Sequence, residues 1–197
     1  MLPRTPSHSS CLSRALEWGF LCLLLLALPR PALAQVREAP EFQIKATWLV
    51  NFGRFIEWPE EDPSAEGAAF TIGVLGDDPF GEAFAAYEGE PVRGNPVEIR
   101  RFRRLEDLEW THILYVSESE NDRLDEILQL VGRNPTLTVG DARDFTSKGG
   151  IIRFVRQGTQ LRFEVNRGAA DLAGLQISSH LLRVATGTLD SPEERRR

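Results

Sequence analysis

Cysteine is nearly absent from this chain. Only two occur, Cys11 and Cys22, both within the first 34 of 197 residues. Everything from Gln35 onward therefore lacks a disulfide, a thiol nucleophile and a cysteine metal ligand. Histidine is almost as scarce: besides His8 there are only His112, opening an expected strand, and His180, on an expected helix. No pair at zinc-ligand spacing results. Long apolar runs are missing too. The longest, Trp18 to Leu28, falls short of the roughly 20 residues that a membrane-spanning helix needs. Positive charge is in deficit. Residues 1–34 hold three of the 23 Lys and Arg and one of the 29 Asp and Glu, leaving 20 basic against 28 acidic residues beyond them. So acidic a surface disfavours nucleic acid and anionic lipid. The run Arg100, Arg101, Arg103, Arg104 is a local exception and reads as a solvated strand end. There is no dinucleotide fingerprint, no P-loop, no glycine-framed nucleophile elbow, no internal repeat and no low-complexity segment.

What the amino terminus does contain is an export signal. Arg4 and Arg14 precede the apolar run, Pro29 and Pro31 break it, and Ala32-Leu33-Ala34 offers the small-x-small pattern of a cleavage site. Phe20-Leu21 before Cys22 argues against lipid attachment at that cysteine. The expected organisation is a signal peptide over residues 1–34, one domain over 35–188, and a disordered tail over 189–197. The 163 residues beyond the leader are enough for one core, since a domain of that size buries about 70% of its unfolded surface.

The apolar residues Phe42, Ala46, Leu49, Phe52 and Ile56, widened by Val50 and Phe55, recur at helical spacing between Glu41 and Glu57. Pro40 can start that helix and Trp58-Pro59 stop it; residues 60–69 read as a loop. Phe70 to Gly76 is a continuous apolar run, as a strand buried on both faces requires. Asp78-Pro79 then resembles a capped helix start reaching Tyr87. Further extended stretches run from Pro91 to Phe102, His112 to Val116 and Thr136 to Val139. A helix over Leu124 to Val131 is expected behind a capping box of Ser117 and Glu120. Ile151 to Val155 and Gln160 to Val165 form a hairpin across Arg156-Gln157-Gly158-Thr159. Asn166 caps a helix from Arg167 to Ala173, and a last helix spans Leu175 to Ala185. The fold class is α/β: a single domain with a mixed sheet flanked by helices, and a C-terminal hairpin followed by helices.

The chemistry-bearing groups are few. Gly76-Asp77-Asp78-Pro79-Phe80-Gly81 lies where open α/β sheets bind ligands, so Asp77 and Asp78 mark a possible ligand turn. Their two carboxylates would repel a phosphate. Asp77, Asp78 and Asp141 could gather round a cation, but without regular ligand spacing, and no metal or cofactor is expected. Ser178-Ser179-His180 reads as capping and packing, because adjacent helical residues face apart. No constellation supports catalysis. The residues alone describe an exported, non-enzymatic binding domain.

Several blocks together resemble the YfiR family of bacterial periplasmic proteins. They are Lys45 to Phe52 with Phe55 to Pro59, Ile72 to Gly81, Ile113 to Ser117, Leu137 to Asp141, and Gly149 to Phe154 with Leu161 to Asn166. Ala173-Gly174-Leu175, Ile177-Ser178-Ser179 and Leu181-Leu182 close the series. They occur in order across nearly the whole chain beyond residue 40. The resemblance implies a periplasmic repressor that binds the sensory part of a membrane-bound diguanylate cyclase. Its release would raise cyclic-di-GMP and favour biofilm. It also implies a homodimer. It places the partner-contacting surface around the hairpin and the following helix, at Ile152, Phe154, Arg162, Glu164, Asn166 and Ala170. The family's redox-sensitive disulfides have no counterpart here beyond residue 34. The alternative is a periplasmic small-ligand module using Asp77 and Asp78 and feeding a different envelope sensor or transporter.

Overall fold

The structure, a computed structural model, describes residues 35–59 and 69–189. The expected leader, residues 60–68 of the expected loop, and the tail beyond residue 189 lie outside them.

Helix α1 spans Gln35–Phe55. It begins before Pro40, whose missing N–H forfeits a single bond near the helix start. It ends two residues short of Glu57, because Ile56–Glu57 is strand β1. Strands β2 (Phe70–Leu75), β3 (Pro91–Val92), β4 (Asn95–Phe102), β5 (Ile113–Val116) and β6 (Leu137–Gly140) follow, with α2 (Leu124–Val131) between the last two. The hairpin is β7 (Ile152–Gln157) and β8 (Gln160–Asn166). Then come α3 (Arg167–Leu172), β9 (Gln176–Ile177), α4 (Ser179–Val184) and β10 (Gly187–Leu189). Leu189, placed in the tail by the sequence pattern, pairs with Asn166 in the sheet.

Eight strands form one sheet in the order β10-β8-β7-β6-β5-β2-β4-β3, and β1 pairs with β9 in a separate two-stranded piece. From β4 to β7 neighbouring strands are parallel; β7–β8 and β3–β4 are antiparallel. Both faces are covered, which is why β2, β5 and β6 are buried at every position. On one face α1 sets Ala46, Leu49, Val50 and Phe52 against Ile72, Val74, Ile152, Phe154, Phe163 and Val165. Phe52 stacks on Phe154 and meets Phe163 edge-on, with centroids 6.0 and 5.2 Å away. On the other face α2 turns Leu124, Ile127, Leu128 and Val131 onto Leu75, Leu114 and Val116.

Three local expectations are corrected. Asp78 to Tyr87 is not an α-helix but a set of turns holding one 3₁₀ turn, Gly81–Phe84. Gly81 sits in the left-handed region, with φ of 49°, and interrupts helical geometry. Ser117 does not cap α2. Its Oγ donates to the Asp77 carbonyl instead, the next six residues wind as 3₁₀, and α2 begins at Leu124. The helix expected from Leu175 starts only at Ser179, because Gln176 and Ile177 pair with Glu57 and Ile56. Ser178 caps it, Oγ accepting from Leu181 N at 3.3 Å. The Asn166 cap stands as expected: its Oδ1 accepts from Ala169 N at 3.0 Å.

Candidate functional site

The topology sets the place for a site. From β2 the chain moves to β4 on one side, then crosses to β5 and β6 on the other. The carboxyl ends of β2 and β5 therefore flank the point where strand order reverses, where open α/β sheets form a crevice. A cleft of about 420 Å³ opens there. Its lining comes from the turn after β2 (Asp77, Pro79), the end of β5 and the turn beyond it (Tyr115, Ser117, Glu118, Ser119), Asp141 after β6, Glu41, Phe42 and Lys45 of α1, and Arg156 of the hairpin.

Its floor is an ionic network. Lys45 is 4% exposed, and its Nζ lies 3.0 Å from Glu41 Oε1 and 2.9 Å from Asp141 Oδ1. The Tyr115 hydroxyl donates to Asp141 Oδ2, and Arg156 pairs with the other oxygen of Glu41. Burial, then the charge of Asp141, pushes the Tyr115 hydroxyl far above its ordinary range, so it remains a proton donor at any physiological pH. The lysine ammonium also sits 4.6 Å from the centroid of the Phe42 ring. Four segments distant in sequence are thus tied together at one end of the sheet.

The mouth depends on Gly76. Its φ of 91° is open to glycine at little cost, and a Cβ there would fall 2.4 Å from Ser119 Oγ. Ser119 Oγ in turn accepts from Asp77 N at 2.9 Å. The β2 and β5 turns are therefore fastened to each other by hydroxyls rather than by helix caps.

The sequence-derived candidates are dispersed. Asp77 lines the cleft; Asp78 does not, because its Oδ2 accepts from Arg101 Nε at 2.7 Å outside it. Asp141 is held by Lys45 and Tyr115, so the three aspartates do not converge. Arg100 and Arg104 of the basic run are likewise paired, with Glu98 and Asp107, as a solvated face would be. His112 is 2% exposed and accepts from Thr71 N at 3.0 Å, a packing role. His180 stacks on Phe55.

At the hairpin, Ile152, Phe154 and Ala170 are corrected as contact residues: they are 0%, 3% and 1% exposed and belong to the core. Period-two alternation turns Ile152 and Phe154 under the sheet, Ala170 is on the buried side of α3, and the alternation of β8 turns Arg162 and Glu164 outward. Glu164 Oε2 accepts from Arg153 Nη2 at 2.7 Å across the β7–β8 ladder. Arg162 Nη2 donates to Gln160 Oε1 at 2.7 Å. Asn166 is occupied at both ends of its amide, since Nδ2 also donates to Thr146 O at 2.7 Å. Reading by residue class overlooked Glu41, Lys45, Tyr115 and Arg156. The signal was present: Lys45 interrupts the apolar stripe of α1 between Phe42 and Ala46, on its buried face.

A family model described as YfiR/HmsC-like matches residues 42–186. A conserved domain protein from Vibrio cholerae O1 biovar El Tor strain N16961 is similar in structure, at 14% identity and a TM-score of 0.48, over 75% of this chain and 60% of that one. An ABC domain in complex with L-Trp from Streptococcus pneumonia is similar at 14% identity and a TM-score of 0.50, over 73% of this chain and 60% of that one. The chain thus spans 60% of the length of the solved structures it resembles. The latter likeness bears on fold alone. No curated protein matches.

Proposed function

We propose, from the premise that this chain belongs to the YfiR/HmsC-like family, that it binds the periplasmic sensory part of a membrane-bound diguanylate cyclase and holds that enzyme inactive. The family is one of periplasmic regulators of diguanylate cyclase signalling rather than of catalysts. The observation that carries the reading is the extent of the match, residues 42–186, which takes in α1 from Phe42 onward, every strand of the large sheet except β10, and the hairpin. In this reading release of the cyclase raises cyclic-di-GMP and favours biofilm, and the regulator works as a homodimer. Export by the amino-terminal signal puts the chain in the compartment where the sensory part lies. Among the described residues no helix is long and apolar enough to cross a membrane.

The surface proposed for the partner is the outward face of the hairpin, where Arg162, Glu164 and Arg153 present an alternating charge pattern. Glu164→Lys tests it. In the free protein the change removes a cross-strand opposite-charge pair worth about 0.2–1 kcal/mol and sets a lysine against Arg153, a loss small beside the stability of a domain, so circular dichroism should record a folded chain. Titration against the cyclase's periplasmic domain should show affinity weakened at least about tenfold, because a charge reversed at an interface meets its complement's repulsion. Unchanged affinity in the folded variant would remove Glu164 from the surface.

A second reading, a small-ligand module, has one specific observation in its favour: the cleft at the reversal point of the sheet, with a buried lysine in its floor. The two readings are compatible in one molecule, since the cleft and the outward hairpin face use different side chains.

A further inference from the structure

The large sheet ends on one side with β4 and β3. Strand β3 has only two residues and pairs with Asn95 and Pro96 alone, leaving most of β4 without an outer neighbour. Three hydrogen bonds fix which backbone groups of β4 look outward. Val97 N donates to Glu90 O at 3.0 Å, and Val97 O accepts from Gly89 N at 2.9 Å, so Val97 faces the rim. Phe102 O accepts from Gly76 N at 2.8 Å, just beyond β2, so Phe102 faces inward. Backbone groups alternate along a strand. Glu98 and Arg100 therefore bond to β2, while Ile99 and Arg101 turn both N–H and C=O outward, about 7 Å apart along the strand. Among the described residues nothing meets these four groups. Such a bare edge is a template for an added strand.

The side chains decide what can be added. From Glu98 to Arg104 four arginines stand against one glutamate, in a chain with acidic excess. Arg103 is exposed and pairs with no carboxylate among the described residues. The pairs of Arg100 with Glu98, Arg101 with Asp78 and Arg104 with Asp107 are partly or largely exposed; such pairs contribute little and give way to a competing carboxylate. A second copy fits badly. Gly89 to Val92 fill the lane beside Asn95 to Val97. Two copies of β4 could therefore pair antiparallel only about Arg100 or Arg101, and either sets that arginine against its own copy, which is destabilising. The two faces of β4 also differ. Ile99 is half-buried against the core under α1, and on its side Arg101 shares a hollow with Glu82 and Glu88, which repel carboxylates. Arg100 points to the opposite face. We propose that β4 accepts an extended segment of a partner protein as an added strand, with carboxylates at alternate positions on the Arg100 side and apolar side chains on the Ile99 side. The inference does not depend on the cyclase reading.

Amide hydrogen exchange followed by NMR tests this, with a short blocked peptide of alternating valine and glutamate as the probe and its valine–lysine counterpart as the control. The expected result is saturable binding of the glutamate peptide, at least about tenfold tighter than the lysine peptide, since charge complementarity decides the partner. The Ile99 and Arg101 amides should exchange fast in the free protein and slowly at saturation, while the Arg100 amide, bonded to β2, is slow throughout. Two variants separate the backbone from the charge. Arg101→Ala removes the guanidinium and keeps the outward N–H; Arg101→Pro removes both and leaves the bonds to β2, as an edge strand permits. Affinity should be at least about fivefold weaker in Arg101→Pro than in Arg101→Ala, because the added strand is left with an unpaired acceptor. No binding of the glutamate peptide, equal binding of both peptides, or binding that leaves the Ile99 and Arg101 amides fast would overturn the proposal. The exchange readout on the parent chain holds whether or not the proline variant folds.

Discussion

Lys45→Met is expected to lower the unfolding free energy by about 3 kcal/mol, the lower end of the range for removing one partner of a buried ion pair. The substitution keeps most of the side-chain volume, so the loss is electrostatic. Asp141, whose side chain is 13% exposed, loses its only cation among the described residues and keeps the Tyr115 hydroxyl. Glu41 loses one cation but keeps Arg156. These surviving partners hold the effect at the lower end. For a domain of this size each kcal/mol moves Tm by about 2–4 °C, so a thermal melt should fall by roughly 6–12 °C. Lys45→Met combined with Asp141→Asn should recover part of the loss, because the carboxylate left without its ammonium is then neutral. A single-variant shift within error, or a double variant that is additive, would mean that the network carries no coupled energy.

A comparable effect is expected from Gly150→Ala, for a steric reason. Phe145 is 1% exposed, in the cluster beneath α2, and its ring lies in a slot between two glycines. A Cβ on Gly140 would fall 2.5 Å from the ring, and one on Gly150 would fall 2.2 Å from it. Real carbons do not approach so closely, and the ring is walled in by α2, so backbone or ring must shift. Overpacking of this kind costs typically 1–3 kcal/mol, and the walled-in ring puts Gly150→Ala at about 3 kcal/mol. Chemical denaturation of Gly150→Ala, Phe145→Leu and the double variant forms a cycle. The smaller leucine should cost clearly less in the alanine background than in the parent. Additive costs would contradict the slot. The segment from Asp141 to Gly150 joins β6 to β7, so its shift would also disturb the cleft floor.

These two sites differ in how far the sequence discloses them. Strands β2, β5 and β6 were legible because burial on both faces leaves uninterrupted apolar runs such as Phe70 to Leu75. The hairpin was legible because one face alternates, and α1 because Phe42, Ala46, Leu49 and Phe52 share a stripe. Strands β1 and β9 were not: two residues each carry no periodicity, and their pairing joins positions some 120 residues apart. The 3₁₀ turn at Gly81–Phe84 reads as α-helix because the Asp78-Pro79 start signal serves both kinds of helix, and the Ser117 hydroxyl of the expected capping box donates instead to the Asp77 carbonyl. For the partner surface, the resemblance names Ile152 and Phe154, which the period-two pattern of β7 turns into the core. The same pattern in β8 turns Arg162 and Glu164 outward. In the cleft, Asp77 was placed by the strand–turn–helix argument alone. Glu41, Lys45, Tyr115 and Arg156 come from separate elements, and only the topology brings them together. The one local clue, a lysine inside an apolar helical stripe, has meaning once the buried face of that helix is known.

The central claim is that the chain restrains a diguanylate cyclase from outside the cytoplasm. The most direct measurement is the cyclic-di-GMP content of the native cells, extracted and quantified with the chain present, deleted, restored, and restored as Glu164→Lys. The account predicts a rise on deletion, a return to the starting level with the parent chain, and no return with Glu164→Lys despite equal amounts in the envelope. A cyclic-di-GMP level that is unchanged or lower on deletion would contradict it.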